Sequence, residues 1–295
     1  MNFNEELKAK AVEAEKIIEA YLPKAEGPQK TVIEAMNYSV RLGGKRLRPV
    51  IMREFYTMYG GRGKIVEPFM AALEMIHTYS LVHDDLPVMD NDLLRRGKPS
   101  THAVYGAGMA TLAGDGLLNL AFETAFLAFD FKEDTGAVPA ALKILAEKAG
   151  FKGMLGGQVV DVESEGKSVS EETLNFIHEK KTACMLESAA MTGAVLAGAG
   201  EEELKKIENL MSLLGVAFQV RDDILDVTGD EALLGKPVGS DEKNNKTTFV
   251  TLYGLSGAEK EAERLAAEAL SAAGGLSAES EFFNALIRYL VERDF

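Results

Sequence analysis

Apolar residues along most of the chain recur every three to four positions, with charged residues on the opposite side. Residues 6–22, 137–150 and 201–220 show this pattern most clearly. The spacing matches the helical repeat and is typical of amphipathic helices. Strict alternation rich in Val, Ile and Thr, which would indicate strands, is nearly absent. The pattern therefore predicts an all-α protein of roughly ten or more helices at ordinary helix lengths.

The sequence between these helices shows no feature that would mark a domain boundary. No internal repeat, low-complexity linker or Pro/Ser-rich hinge divides the sequence. The 8 prolines fall where a helix could begin or end. A chain of 295 residues is near the upper size for one hydrophobic core, and 46% hydrophobic residues are enough to build it. We therefore predict a single domain spanning residues 1–295.

Charge and composition narrow the possible partners and the compartment. Asp and Glu number 46 against 32 Lys and Arg, a net charge of −14, which argues against binding nucleic acid or an anionic membrane. The N-terminus lacks the apolar core of a signal peptide, and the uncharged stretch 188–200 is too short to span a bilayer. Cys184 is the only cysteine and is expected to be a small buried side chain. We expect a cytoplasmic protein without membrane insertion.

The first chemically unusual segment is HDDLPVMDNDLLRRGKPS at 83–100, in which four aspartates lie within nine positions. The first pair follows the apolar segment LEMIHTYSLV, and Pro87 interrupts the helix so that Asp90 can turn back. Oxygen ligands suit Mg²⁺, which keeps water molecules and is usually shared with substrate phosphates. Taken alone, this cluster fits either a metal site or a solvated helix end.

A second acidic group lies in FQVRDDILDVTGD at 218–230. On a helix, Asp222 and Asp226 share one face, Asp223 lies one step around it, and Gln219 precedes them by one turn. Carboxylates this close repel one another. Neither acidic cluster has another evident compensating charge, so we expect metal ions to balance both.

Basic side chains form the other half of the candidate chemistry. RLGGKRLRP at 41–49 sets Lys45, Arg46 and Arg48 between a glycine pair and a proline, where backbone amides and cations can hold a diphosphate. HEKKTACML and LGKPVGSDEKNNKTT add further lysines. Two diphosphates carry roughly six negative charges, about the number that three divalent ions neutralise. Metal and diphosphate are therefore expected to bind together.

Five motifs taken in order resemble those of the trans-isoprenyl diphosphate synthases: GGKRLRP, DDLPVMD, GGQVVD at 156–161, HEKKT at 178–182 and DDILD. The match runs from about residue 30 to the C-terminus. The spacing within DDLPVMD and the upstream Tyr79 are similar to bacterial farnesyl diphosphate synthases. The resemblance implies an isoprenoid synthase type helical bundle around a central cavity. It also implies head-to-tail condensation of isopentenyl diphosphate with dimethylallyl or geranyl diphosphate to give farnesyl diphosphate (C15).

The resemblance also implies roles for individual residues. Asp84 and Asp90 would hold two Mg²⁺ and Asp222 a third, with Mn²⁺ able to substitute. Five further side chains are expected to contact these ions through water or to contact the residues that bind them: Asp85, Asp223, Asp226, Gln158 and Asp161. The last two lie one helical turn apart and could instead cap a helix.

Substrate roles follow in the same way. The side chains expected to hold the allylic diphosphate are Arg95, Lys181, Gln219 and Lys236, and those for isopentenyl diphosphate are Lys45, Arg48, His77 and Arg96. Thr182 and Lys246 extend the substrate-binding set. Arg95, Lys181, Thr182 and Gln219 are the expected catalytic residues, which stabilise the leaving group and the developing carbocation. Phe249 stands where related chains often have tyrosine.

Product length is assigned to Tyr79, five residues before Asp84 and roughly 7.5 Å along the helix axis. Its ring can form the floor of the cavity, whereas Ser80 is too small to stop chain growth. Three alternatives remain: a geranylgeranyl diphosphate synthase (C20), a terpene cyclase and a non-catalytic subunit of a synthase. The resemblance favours a homodimer.

Overall fold

The computed structural model of the protein describes residues 2–132, 135–229 and 246–292. Within these ranges it contains thirteen α-helices, a short 3-10 turn, one π-helical segment and a single hairpin of two-residue strands. This composition confirms the all-α prediction. The contacts divide the chain into two compact units, the first formed by residues 1–53 and 62–142 and the second by residues 54–61 and 143 onward. The single-domain prediction stays a prediction.

The first unit holds the N-terminal helices and the hairpin, and α3 and α7 have residues in both units. Its elements are α1 (Phe3–Ala20), α2 (Lys30–Arg41), α3 (Leu47–Met58), α4 (Glu67–Asp84), β1 (Leu94–Arg95), β2 (Lys98–Pro99), α5 (Thr101–Tyr105), α6 (Ala107–Phe126), the 3-10 turn Leu127–Asp130 and α7 (Val138–Ala149).

The second unit contains the remaining helices. Its elements are α8 (Met154–Glu163), α9 (Glu171–Ile177), the π-helical segment His178–Ala183, α10 (Cys184–Leu196), α11 (Glu201–Thr228), α12 (Phe249–Ala273) and α13 (Glu281–Glu292).

The core of the first unit is built on α4, which packs along α6. Helix α4 is apolar on most sides and buries Phe69, Leu73 and Ile76 completely, as expected for a helix enclosed by its neighbours. Small residues of α6, including Ala113 and Ala121, are also buried, and they allow the two helices to approach closely. This packing fixes the C-terminal end of α4, where the first aspartate cluster begins.

The core of the second unit is α10, in which every residue from Cys184 to Val195 is buried. It packs on α11, and α11 in turn packs along α12. The Cys184 thiol lies inside this core, and burial, followed by the nearby Glu187 carboxylate, raises its pKa to about 12. A thiol that stays protonated at neutral pH is not a nucleophile, so the interpretation of Cys184 as a small buried side chain is confirmed.

Helix α6 has one further property. The segment Ala107–Asp130 is long and apolar enough to cross a membrane by length and composition, with a mean hydropathy of 1.3. Core helices of soluble proteins pass the same test. Helix α6 packs along α4 in the first unit, and 39% of the segment is buried, so one side of the helix belongs to the core.

Candidate active site

The first aspartate cluster lies on a tight turn at the end of α4. The helix ends at Asp84, and the turn begins two residues later with Leu86 and Pro87. The chain then reverses, because the Asp90 N–H donates to the Asp84 carbonyl at 2.9 Å and the Asn91 N–H donates to the Leu86 carbonyl at 3.1 Å. Asp84 is half-buried and Asp90 is exposed. The predicted return of Asp90 after Pro87 is confirmed.

Asp85 has a different environment from its neighbours, because it is buried and bonded to Arg95. The Arg95 Nε donates to Asp85 Oδ1 at 3.0 Å, a second guanidinium nitrogen contacts the same oxygen, and Arg95 also reaches Asp92 at 3.4 Å. Burial raises the pKa of the Asp85 carboxyl, and Arg95 opposes that rise only in part. The expectation that only a metal ion would compensate this cluster is therefore wrong for Asp85.

The hairpin positions both arginines that follow the cluster. Arg96 and Gly97 occupy its two-residue turn with φ of 54° and 74°, the left-handed pair typical of a type I′ turn. The guanidinium of Arg96 lies directly against Gly44, since a Cβ added to that glycine would sit 2.5 Å from the guanidinium carbon. Gly44 has φ of 128°. This position therefore needs glycine both for its backbone conformation and for the space taken by Arg96.

The basic loop 43–48 separates its three cations. Lys45 is exposed, Arg48 is half-buried, and Arg46 is buried against Glu74. The Arg48 Nη1 donates to His77 Nε2 at 3.3 Å, which requires the neutral imidazole with its proton on the other nitrogen. Grouping Arg46 with the outward-facing diphosphate cations, as the sequence suggested, is wrong.

Electrostatics in this part of the first unit favour an anion. Removal from water, followed by the charges of Arg48 and Arg96, holds the pKa of His77 well below its usual value. Burial lowers the pKa of Arg48 to about 10, and Arg96 adds to this, although Glu74 acts in the opposite direction. Arg48 therefore remains protonated at neutral pH beside an uncharged imidazole. A diphosphate would relieve the mutual repulsion of these guanidinium groups.

In the second unit, the predicted lysines and acids meet at the π-helical segment. Lys181 Nζ lies 2.6 Å from Asp161 Oδ2, and Lys246 Nζ lies 4.0 Å from the same oxygen. Burial alone would raise the pKa of Asp161, but the two ammonium groups outweigh it and the pKa lies below its usual value. Gly157 of the GGQVVD motif contacts the backbone at Lys181, so α8 can approach the π-helical segment. Gln158 is half-buried on the same helix.

A chain of hydrogen bonds links three further predicted residues. The Thr182 hydroxyl donates to Gln219 Oε1 at 3.0 Å, and the Gln219 amide nitrogen donates to Asp223 Oδ1 at 3.4 Å. The backbone N–H of Phe249 donates to Asp223 Oδ2 at 3.0 Å. Asp223 thus accepts hydrogen bonds at both oxygens and holds the first residue of α12. Asp222 is half-buried and Asp226 is buried on the same helix.

These residues surround a cavity of about 120 Å³ within the second unit. Its polar lining includes Asp161, Lys181, Thr182, Gln219, Asp223 and Lys246. Six of the residues named from the sequence are therefore brought to one cavity by α8, the π-helical segment, α11 and the residues before α12. Lys236 lies outside the described residues.

His178 and Phe249 also belong to this environment; from the sequence His178 is expected only to be a structural neighbour of Lys181, and Phe249 has no assigned role. Their rings stack with centroids 5.5 Å apart, and His178 Nε2 lies 4.0 Å from Asp223 Oδ2. Burial lowers the pKa of His178 to about 3, so the ring is neutral at pH 7. The stacking explains why an aromatic ring is useful at position 249 with or without a hydroxyl. No pattern in the sequence pairs these two positions.

The predicted product-length residues lie on α4. Tyr79 is buried, and its ring contacts the edge of His83 with centroids 5.8 Å apart. Ser80 is half-buried and donates to the His77 carbonyl at 2.9 Å. Tyr79 is therefore held by its own helix, and its role in product length stays a prediction.

The donor set can be tested against Mg²⁺. Across the ranges that the structure describes, no group of three or more His, Cys, Asp or Glu side chains forms a ready-made ion site. Mg²⁺ does not need one, because it usually binds through one or two carboxylates, water and substrate phosphates. Asp84 and Asp90, which can supply carboxylates of that kind, lie on one turn closed by a backbone hydrogen bond between them. The residues present fit Mg²⁺.

Comparison with known proteins decides the family. The family model for polyprenyl synthetase matches residues 29–283. The chain belongs to the polyprenyl synthetase family. Among curated relatives, a farnesyl diphosphate synthase of Bacillus subtilis is 42% identical over 94% of the chain and 93% of the relative. A geranylgeranyl diphosphate synthase of Cyanophora paradoxa is 44% identical over 91% of the chain and 89% of the relative.

Solved structures agree with this assignment. An apo FPP/GFPP synthase from Zymomonas mobilis superimposes with a TM-score of 0.86 at 30% identity, covering 97% of the chain and 99% of that structure. A geranyltransferase from Helicobacter pylori, complexed with magnesium and isoprenyl diphosphate, gives a TM-score of 0.85 at 31% identity, covering 99% and 97%. The chain therefore has the all-α isoprenyl synthase fold.

Proposed function

We propose that this polyprenyl synthetase is a trans-prenyltransferase that condenses isopentenyl diphosphate with dimethylallyl and then geranyl diphosphate to give farnesyl diphosphate. The observation that carries the proposal is the cavity of the second unit, where Lys181 and Lys246 lie beside the hydroxyl and amide of Thr182 and Gln219. Two ammonium groups suit a diphosphate, and neutral oxygens beside them suit an adjacent carbocation.

Magnesium is the cofactor that fits these residues. Asp84 and Asp90 in the first unit and Asp222 in the second would hold the ions. A total of three ions, and substitution by Mn²⁺, belong to the proposal. When bound, Mg²⁺ would neutralise diphosphate charge and act as a Lewis acid on the leaving group. Asp85 would hold Arg95 in position, since its carboxylate is already bonded to that guanidinium.

The allylic substrate would be bound through its diphosphate by Arg95, Lys181, Gln219 and Lys246, with Lys236 as a further predicted contact. Its C–O bond breaks, and the electron pair leaves with pyrophosphate. The Thr182 and Gln219 oxygens, which share a hydrogen bond of 3.0 Å, would face the carbocation that forms. Their dipoles stabilise positive charge without supplying a nucleophile that could trap it.

Isopentenyl diphosphate would be bound by Lys45, Arg48, Arg96 and neutral His77 of the first unit. Its double bond attacks the allylic carbon, forming the new C–C bond, and one proton is then lost. Released pyrophosphate takes that proton, so no protein side chain is required as a base. This agrees with the neutral state of His77, whose Nε2 already accepts a hydrogen bond from Arg48.

The product is expected to contain fifteen carbons, with twenty as the second candidate. Geranylgeranyl diphosphate synthases are among the relatives at similar identity, and such enzymes differ in cavity depth rather than in motifs. The buried ring of Tyr79 supports the shorter product. A terpene cyclase would not need the basic loop 43–48. A non-catalytic subunit would be expected to lack one of the aspartates or lysines, all of which are present.

One incubation tests these alternatives. Purified protein is mixed with dimethylallyl diphosphate, isopentenyl diphosphate and Mg²⁺, and the products are analysed by mass spectrometry. Farnesyl diphosphate as the main product supports the proposal, and geranylgeranyl diphosphate supports the second candidate. Formation of a hydrocarbon from geranyl diphosphate alone would indicate a cyclase. The absence of any product would indicate a non-catalytic subunit.

Two further properties belong to the proposal. A homodimer is supported by the apolar side chains that α6 and its 3-10 turn leave exposed, among them Leu112, Phe126 and Phe129, because a second copy could cover them. Light scattering after size exclusion should give twice the chain mass.

A cytoplasmic location is supported by the soluble fold and the acidic net charge of −14, and fractionation of cells should recover the protein in the soluble fraction.

A further inference from the structure

Arg46 lies at the centre of the basic loop, but its side chain faces the protein interior. The residue is only 3% exposed, between an exposed Lys45 and a half-buried Arg48. Its Nη1 donates to Glu74 Oε1 at 2.6 Å, and its Nη2 donates to the Val40 carbonyl at 2.6 Å. The guanidinium is therefore held by α4 and by the last turns of α2.

A third contact comes from α1. The Nη2 of Arg46 also lies 3.2 Å from Glu15 Oε1, and this carboxylate is half exposed to solvent. Glu74, in contrast, is 2% exposed on the fully packed helix α4. Three elements of the first unit thus converge on one guanidinium, whose planar shape allows several donors to be used at once.

The backbone of Arg46 is as unusual as its side chain. Its φ is 51°, a left-handed conformation that residues with a Cβ adopt only when the surroundings enforce it. The Arg46 carbonyl accepts from the Val50 N–H at 3.1 Å, so this residue also forms the entry to α3. The left-handed conformation sets the direction of the chain between Lys45 and the helix that carries Arg48.

We propose that Arg46, anchored by Glu74 and Glu15, is a positioning residue that fixes the loop 43–46 so that Lys45 and Arg48 meet the diphosphate of isopentenyl diphosphate. This inference rests on the proposed function. In this proposal Arg46 does not contact the substrate, because its Nη1 and Nη2 are already bonded to groups on α4, α2 and α1. We assign the buried pair a role in conformation, because the cost of removing two charges from water offsets much of their attraction.

The packing of the neighbouring hairpin supports this role. Arg96 lies against Gly44, two residues before Arg46, at a distance that leaves no room for a Cβ. A change in the loop at Arg46 would therefore displace Arg96 as well as Lys45. Glu74 also faces Arg48 closely enough to oppose the lowering of its pKa. One carboxylate on α4 thus acts on two residues of the basic loop.

Two substitutions test the proposal, Arg46→Lys and Glu74→Gln. Isothermal titration of isopentenyl diphosphate and steady-state kinetics with both substrates are measured for each. Lysine keeps the charge but cannot bond Glu74, Val40 and Glu15 together, and glutamine removes the charge that anchors the guanidinium. We expect each variant to raise Kd and KM for isopentenyl diphosphate by about tenfold. The KM for geranyl diphosphate should stay within about twofold.

A matched control separates positioning from general destabilisation. Glu187 is also a buried helical carboxylate bonded to a cation, Lys148, but it lies in the core of the second unit. Glu187→Gln should lower Tm without the selective change in isopentenyl diphosphate binding. If Glu74→Gln bound isopentenyl diphosphate as tightly as the wild type or more tightly, Arg46 would be a direct ligand or a bystander, and the proposal would be wrong.

A milder variant covers the case in which the buried substitutions do not fold. Glu15 is half exposed, so Glu15→Gln should fold normally and raise the Kd for isopentenyl diphosphate by about twofold to threefold. An unchanged Kd in this folded variant contradicts the anchoring of Arg46. Because binding is measured directly, these results are independent of turnover, whereas absence of product from the wild type would refute the proposed function.

Discussion

Asp222 and Asp223 are adjacent aspartates on α11, and the substitution of each by asparagine should have opposite consequences. Asp223 is buried and accepts from the Phe249 N–H at 3.0 Å and from the Gln219 amide at 3.4 Å. Asparagine offers only one oxygen, so it can accept from one of these donors while its amide group faces the other. Asp223→Asn should therefore weaken the connection between α11 and the start of α12.

The size of the effect follows from these two bonds. A hydrogen bond to a charged acceptor contributes roughly 1.5–3 kcal/mol, and a buried donor left without a partner costs roughly 1–3 kcal/mol. The longer bond to Gln219 is the weaker one and the more easily lost. We therefore expect Asp223→Asn to lower the free energy of unfolding by about 2 kcal/mol, or Tm by roughly 3 °C for a chain of this size.

Thermal unfolding followed by circular dichroism in excess EDTA measures this effect without any contribution from bound metal. The control is Asp222→Asn, the proposed Mg²⁺ ligand, which is half-buried. It should change the free energy of unfolding by less than about 0.5 kcal/mol but reduce kcat at least about 100-fold in Mg²⁺. A wild-type Tm for Asp223→Asn, or an equal loss of stability in both variants, would refute the structural role of Asp223.

Four further predictions concern the cofactor, the substrates, the product and pH. Excess EDTA should abolish turnover, and full activity under that condition would contradict the Mg²⁺ assignment. Lys45→Ala or Arg48→Ala should raise KM for isopentenyl diphosphate more than for geranyl diphosphate. An equal rise in both KM values would indicate that the substitution changes the electrostatic field of the whole site or the folding of the protein. Tyr79→Ala should shift the main product to geranylgeranyl diphosphate or longer by mass spectrometry, while Ser80→Ala should not. Because the pKa of His178 is lowered to about 3 by burial, the unfolded state binds a proton that the folded state does not. The contribution of His178 to stability should therefore be fully present above pH of about 6.5 and decrease by about 1.4 kcal/mol per pH unit below it, and His77, whose pKa is also lowered, should add a loss of the same sign. His178→Gln should flatten that slope in denaturant titrations at pH 7 and 5.5, and an unchanged slope would show that His178 is protonated in the fold.

The sequence pattern correctly predicted those structural features that depend on residues close to one another along the chain. The apolar spacing predicted the helices because burial of one face is the main determinant of helix position. The effect of Pro87 was predictable for the same local reason, and Asp90 does return to Asp84. The motif order was enough to indicate the family, which the comparisons confirm.

Tertiary structure decided which of the charged residues compensate one another. No local pattern predicts that Arg46 is buried while Lys45 is exposed, because only the fold brings Glu74 and Glu15 to its guanidinium. Likewise, the pairing of Asp85 with Arg95 depends on a hairpin ten residues away.

Spacing and residue type were therefore enough to predict the all-α class and the family, and they led to the proposed set of residues for the chemistry. Which of those residues face the interior depended on contacts between distant helices. The tertiary structure placed Asp223 under the N-terminus of α12 and His178 against Phe249. Such contacts join residues 26 or more positions apart, and their free energy depends on burial and geometry that no local pattern contains.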